Sequence, residues 1–302
     1  MNDSKNLRNE TTITSENIGR GVALTIGAVM IFGLQDAIAK ILVQDYAVPQ
    51  VVMMRYWAFG LFAVWLAVRQ NGLRNAFHSN YPKIQILRAL LLLADVVLFA
   101  TAVRTVPLGE LSAILLLVPV LVTVFSIPIL GEKVGLVRWA SVFAGFTGAL
   151  IVLRPGFDVL NVGAVPALGA AVAFALYMVT TRMVARRDST ATMMLYVGGI
   201  GLILSTAVGL FYWQPLTLEA WGLVAILWVT TTGGHFLVMR SLAYAPASVV
   251  QPFNYLALPW AITLSFVMFG HLIDFISLIG ALIIVGAGLM VWVRERRNKQ
   301  RS

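Results

Sequence analysis

Apolar runs of about 20 residues recur along nearly the whole chain, separated by short polar connections. A helix rises about 1.5 Å per residue, so each run matches a hydrocarbon core of roughly 30 Å. The pattern predicts ten spans, at residues 20–43, 49–68, 84–104, 108–130, 135–153, 162–184, 190–212, 220–240, 246–269 and 271–293. Turn formers punctuate them: residues 46–49, Asn71-Gly72, Tyr81-Pro82, Pro107, Gly131, residues 154–156 and Gln214-Pro215.

The pattern also repeats. The stretch 107–156 carries two apolar runs around the polar turn Gly131-Glu132-Lys133, with Pro119 near the middle of the first. Residues 246–294 restate it: Pro107 matches Pro246, Pro119 matches Pro259, Gly131 matches Gly270 and Arg154 matches Arg294, at offsets of 139 or 140. Gly27, Phe32 and Lys40 match Gly169, Phe174 and Arg182 at 142, and Met53, Met54 and Tyr56 match Met193, Met194 and Tyr196 at 140. Residues 20–156 and 162–295 therefore read as two five-helix repeats, between tails at 1–19 and 296–302. Five is odd, so the second copy enters the membrane from the opposite side, the arrangement used for alternating access around a midplane site.

Charge fixes the expected orientation. Eighteen of the 22 Lys and Arg fall in segments on the N-terminal side of the membrane. Only Arg104 and Arg154 fall on the other side, and Lys40 and Arg55 lie within spans. By the positive-inside rule both termini are cytoplasmic, as in a multi-pass protein of a bacterial inner membrane. The net charge of +9 thus faces anionic lipid and predicts no nucleic-acid partner. Composition agrees: 59% of residues are hydrophobic, 12% are charged and mean hydropathy is +0.86. There is no cysteine, which removes disulfides, thiolate metal sites and cysteine nucleophiles. Neither a P-loop nor an H-E-x-x-H or G-x-S-x-G motif occurs, so no enzymatic activity, metal or cofactor is expected.

A charge inside the hydrocarbon is costly and rarely idle. Asp95 lies near the middle of the third span, with Arg88 two turns earlier on one face. Asp36 and Lys40 are four residues apart, a spacing that lets them pair. They read equally as a neutralising pair or, with Arg88, as part of a gate or coupling device. His235 suits proton handling, substrate hydrogen bonding or a plain interhelical contact. Gln251, Asn254 and Tyr255 fall on one helical face between Pro252 and Pro259. Those prolines and Pro119 are expected to kink their helices. Tyr177 and Trp260 complete the predicted cavity lining, in which Asp95, His235, Gln251 and Asn254 bind polar groups. Small residues at Ala140, Ala144 and Gly148, and at Gly163, Ala167, Ala171 and Ala175, read as packing seams.

The block P-L-x-E-L, P-V, G-E-K, G and G-A-L, with its weaker second copy, resembles the EamA-type domain of the drug/metabolite transporter superfamily. The resemblance covers almost the whole chain. It implies an all-α integral membrane fold of ten transmembrane helices around a central cavity, lined chiefly by helices one, three, four, six, eight and nine. The segment GGHFLVMRSLAYAPASVVQPFNYLALPWA is similar to a bacterial branch holding amino-acid exporters and importers of vitamins and nucleoside-like metabolites. The second copy has Gly270-His271 where the first has Gly131-Glu132, so the repeat assigns Glu132 no role. The expected function is a monomeric secondary transporter that exports amino acids with broad specificity. The alternative is an importer of a vitamin or nucleoside-like metabolite; a channel and an intramembrane enzyme are the remaining classes.

Overall fold

The computed structural model describes residues 15–70, 72–131, 136–153, 163–184, 187–244 and 251–299, and among these no strand occurs. Twelve α-helices are found among them: α1 (Ser15–Asp45), α2 (Val48–Gln70), α3 (Leu73–Ala76), α4 (Pro82–Thr105), α5 (Leu108–Leu115), α6 (Val118–Leu130), α7 (Leu136–Leu153), α8 (Ala164–Val184), α9 (Thr190–Gly209), α10 (Leu218–Tyr244), α11 (Ala257–Phe269) and α12 (Phe275–Lys299). Among the described residues seven segments are long and apolar enough to cross a membrane: Ile18–Asp45, Val48–Gln70, Pro82–Thr105, Leu108–Leu130, Ala164–Val184, Thr190–Tyr212 and Leu218–Val238. Three shorter apolar helices, Val142–Val152, Phe253–Phe269 and Phe275–Met290, occupy the other predicted positions. Helix α1 begins at Ser15 and α12 runs to Lys299, so both reach into segments expected to be tails. The rest of those tails lies outside the described residues.

The helix ends follow local chemistry. Pro82 opens α4, where its missing N–H is no loss, and the Ser189 hydroxyl caps α9 by accepting from the Thr192 N–H at 3.1 Å. Helices α6 and α11 both stop at a left-handed glycine, Gly131 (φ 68°) and Gly270 (φ 69°), which repeat each other at 139 residues. The fourth and ninth spans break at matching places. Helix α5 gives way to α6 at Leu116–Leu117, and a 3-10 turn over Gln251–Leu256 precedes α11. Pro119 thus sits in the first turn of a new helix and does not bend a continuous one; its side chain lies outside the described residues.

Long-range packing joins the two copies. Helix α1 packs on α10, α4 on α8, α2 on α9, α7 on α12 and α5 on α11. A two-fold relation between copies exchanges the first two pairings and maps the α2–α9 and α7–α12 pairings each onto itself. One contact shows this at atomic scale. Gly27 on α1 faces Leu237 on α10, and their repeat mates Gly169 and Leu98 face each other across α8 and α4. The α2–α9 seam is antiparallel, with Gly209 against Met53, Gly201 against Tyr56 and Gly198 against Ala63. There, and where Gly148 meets Gly280 between α7 and α12, the missing Cβ lets the backbones approach. Of the expected seam residues, Gly148, Gly163, Ala167, Ala171 and Ala175 are buried, whereas Ala144 is half-buried and Ala140 is exposed, so the first seam holds only at Gly148. Phe143 (66% exposed) and Phe211 (88% exposed) belong to an outward apolar surface suited to lipid.

Candidate substrate site

Four helices bring charged and titratable side chains together: Asp36 from α1, Arg55 from α2, Asp95 from α4 and His235 from α10. The charge of Arg55 acts on Asp36, Asp95 and His235, and the two carboxylates act on each other. One arginine therefore faces two acids inside an apolar bundle, where an uncompensated charge costs several kcal/mol or about that order. Tyr56, next to Arg55, feels Arg55, Asp95 and Tyr177. The His235 ring lies against Phe32 (centroids 5.3 Å, edge-on) and Phe59 (4.9 Å), so α1, α2 and α10 meet around it.

Three buried polar atoms in this region, Gln35 Oε1, Tyr56 Oη and Thr231 Oγ1, have no hydrogen-bond partner among the described residues. Each such atom costs about 1–3 kcal/mol, which makes three of them on adjoining helices informative.

Several expected pairings are replaced by others. Lys40 does not answer Asp36: its ammonium donates to the carbonyls of Val103 (3.1 Å) and Val106 (2.8 Å) and lies 5.4 Å from the Phe269 ring centre. The last carbonyls of a helix lack intrahelical donors and carry its negative dipole end, so the end of α4 competes well for a cation. Arg88 does not pair with Asp95. It donates from Nε to Thr181 Oγ1 (2.9 Å) and from a terminal nitrogen to Gln85 Oε1, and stacks over Tyr177 at 5.3 Å. Tyr177 in turn stacks on Phe174.

The expected polar face of the ninth span is also redrawn. Residues 251–256 form a 3-10 helix, whose period of about three residues rotates Tyr255 away from Gln251. Asn254 is exposed, and Tyr255 turns its hydroxyl toward Gly288 of α12. Tyr255 and Pro259 line an apolar groove of about 530 Å³ with Ile26, Ile262 and Leu278, apart from the charged cluster. The side chains of Gln251 and Pro252 lie outside the described residues. Trp260 packs its ring on Gly33 and donates its indole N–H to the Met30 carbonyl (2.9 Å), which ties α11 to α1.

Each end of the bundle carries a polar clasp. In the connection between α8 and α9, Asp188 accepts from Ser79 Oγ, the Asn80 N–H (2.9 Å), Asn80 Nδ2 (3.0 Å) and Gln85 Nε2 (2.7 Å). Burial pushes the Asp188 carboxyl up, but these four donors outweigh it and hold the group below the usual carboxylate value of 3.8. Gln85 then links this network through Arg88 to Tyr177. At the other end Gln50 Nε2 donates to the Gln214 carbonyl (2.8 Å), and the Gln214 N–H donates to Gln50 Oε1 (3.0 Å). The Thr217 N–H donates to Tyr46 Oη at 3.2 Å. Tyr46 and Asp188 are repeat mates, so one position serves a neutral clasp in one copy and a charged clasp in the other.

Arg55, Gln35, Tyr56, Thr231 and Asp188 were not singled out from the sequence. Arg55 had a legible signal, a lone arginine inside an apolar span. Gln35 had a similar one, being an amide in such a run.

With this geometry in place, the family profile is decisive: that of the EamA-like transporter family matches residues 19–154 and again residues 161–293. The chain belongs to the EamA-like transporter family. It is similar to the riboflavin transporter of Vibrio cholerae, 27% identical over 94% of this chain and 97% of the relative. It is also similar to the S-adenosylmethionine uptake transporter of Rickettsia prowazekii, 23% identical over 74% of this chain and 76% of the relative. A solved crystal structure, 17% identical, matches 94% of this EamA-like chain and 98% of its own with a TM-score of 0.62, a likeness of fold. The family is one of small-metabolite transporters, so the chain is read as a multi-pass membrane transporter and not as an enzyme.

Proposed function

We propose that this protein is a secondary transporter that takes up a small heterocyclic metabolite, riboflavin or a nucleoside derivative, by alternating access. The observation that carries this reading is the half-buried set of Arg55, Asp36, Asp95 and His235, drawn from four helices of both copies, in which the charge of Arg55 acts on the other three. A charge set of this kind inside a bilayer is costly and is retained where a substrate or ion passes. The matching helix breaks before α6 and α11, the exchanged α1–α10 and α4–α8 pairings and the antiparallel α2–α9 seam support ten crossings in two inverted repeats, 20–156 and 162–295, around a central cavity. In this reading both termini are cytoplasmic and the membrane is a bacterial inner membrane.

Within it Asp95, His235 and Tyr177 touch substrate, Asp36 and Arg55 set the charge of the site, and Lys40 and Arg88 brace its two ends. Trp260, Tyr255 and Asn254 take supporting places at the α11 end. The amino-acid export expected from the sequence draws no support from the two relatives named above, whose cargoes are riboflavin and S-adenosylmethionine. The test is counterflow in liposomes holding the purified protein, with labelled riboflavin, nucleosides, S-adenosylmethionine and neutral amino acids. Saturable exchange of a heterocyclic compound is the expected result. Exchange of neutral amino acids alone would restore the first expectation, and an unsaturable leak would favour a channel.

A further inference from the structure

We infer that Gln35, Tyr56 and Thr231 form the specificity edge of the site, reading a ring N–H flanked by two carbonyls, the imide edge of a flavin or a uracil-like base. This rests on the heterocycle reading above and names the contacts that would enforce it.

The three side chains are 1%, 2% and 1% exposed, and each holds an oxygen without a partner among the described residues. They stand beside members of the charged cluster in sequence. Gln35 precedes Asp36, Tyr56 follows Arg55, and Thr231 lies one helical turn before His235. The α1–α10 seam sets their level. Thr25 Oγ1 and Ser241 Oγ share a 2.6 Å hydrogen bond, and Phe32 meets His235 further along, so in this antiparallel register Gln35 stands opposite Thr231. The two helices come from different copies, and their seam is a surface the halves present to each other.

The donor pattern is what selects the ligand. Gln35 Oε1 only accepts, whereas the hydroxyls of Tyr56 and Thr231 can donate. One acceptor accompanied by two donors complements a carbonyl, N–H, carbonyl sequence. Such an edge satisfies all three orphan atoms together, and a site built to hydrogen-bond a substrate rejects an analogue that leaves its groups unpaired. As mere packing residues the three would be better replaced by apolar groups of similar shape, which leave no buried atom unpaired.

The experiment compares transport of riboflavin and its N3-methyl derivative, whose imide N–H is blocked, by wild type and by Gln35→Leu and Thr231→Val. Wild type is expected to prefer riboflavin by about tenfold or more in kcat/KM, as for loss of a well-placed polar contact. Gln35→Leu is expected to abolish that preference while melting no lower than wild type, and Thr231→Val to weaken it. Equal transport of both compounds by wild type would overturn this inference and leave the transport reading standing. Undiminished preference in both variants would also overturn it. Transport of neither compound, with exchange of neutral amino acids alone, would overturn the cargo reading and this inference with it.

Discussion

Replacing Asp188 with alanine removes the acceptor that gathers the 79–85 segment onto the start of α9. Four hydrogen bonds are lost, from Ser79, from the Asn80 N–H and side chain, and from Gln85. Hydrogen bonds to a charged group contribute about 1.5–3 kcal/mol each, but bonds sharing one carboxylate are not additive. Gln85, 0% exposed, is left with an unpaired amide, a further penalty of about 1–3 kcal/mol. A total near 3–5 kcal/mol is expected, less what water recovers at this end of the bundle. In a chain of 302 residues each kcal/mol moves Tm by about 2 °C, so Asp188→Ala should melt about 6–10 °C lower in detergent.

The pH dependence has a definite sign. Because the folded carboxyl titrates below its ordinary value of 3.8, its contribution is complete above that value and is lost as pH falls through the depressed one. The Tm gap between wild type and Asp188→Asn should therefore be constant from pH 8 down to about 5 and narrow below about 4. A Tm for Asp188→Ala within 2 °C or so of wild type, or a gap that closes near neutral pH, would refute the claim that the charged clasp holds this end together.

Other outcomes are equally specific. Gly201→Ala drives a Cβ into the Tyr56 ring and should cost about 1–3 kcal/mol by overpacking, whereas Gly199→Ala, which meets nothing within 4 Å, should melt like wild type. Arg55→Met should abolish transport and lower Tm, since it leaves Asp36 and Asp95 without the positive charge that acts on both. Adding Asp36→Asn should recover much of that stability and none of the transport; recovery of transport would remove Arg55 from the site. Single cysteines at Arg187 and Gln214, both exposed, should react with an impermeant maleimide from opposite sides of the membrane, in a chain with no cysteine of its own. Labelling of both from one side would break the ten-crossing arrangement.

Much of the architecture was legible because hydrophobic length and helix-ending residues are local properties. Seven of the expected spans, the Gly131 and Gly270 stops and the seams through Gly148 and Ala171 follow from residue type and period. Partners were not legible, because periodicity gives the face a residue occupies and not the neighbour that face meets. The spacing of Asp36 and Lys40 permits a pair, but the carbonyls ending α4 take the ammonium. Arg88 shares a face with Asp95, yet Thr181, Gln85 and Tyr177 lie closer to hand. Gln251, Asn254 and Tyr255 share a face only in an α-helix, and the chain is wound as a 3-10 helix there. Asp188 looked like an ordinary turn residue because its partners stand about a hundred positions earlier.

The repeat mates Tyr46 and Asp188 give the molecule a direction that its duplicated framework lacks. The end held by Gln50, Gln214 and Tyr46 is fastened by neutral groups, to which protons and dissolved ions are nearly indifferent. The end held by Asp188 is fastened by a carboxylate, which a proton can neutralise. Two ends built on one template thus differ in their response to pH, since acid below about pH 4 weakens the one and leaves the other unchanged.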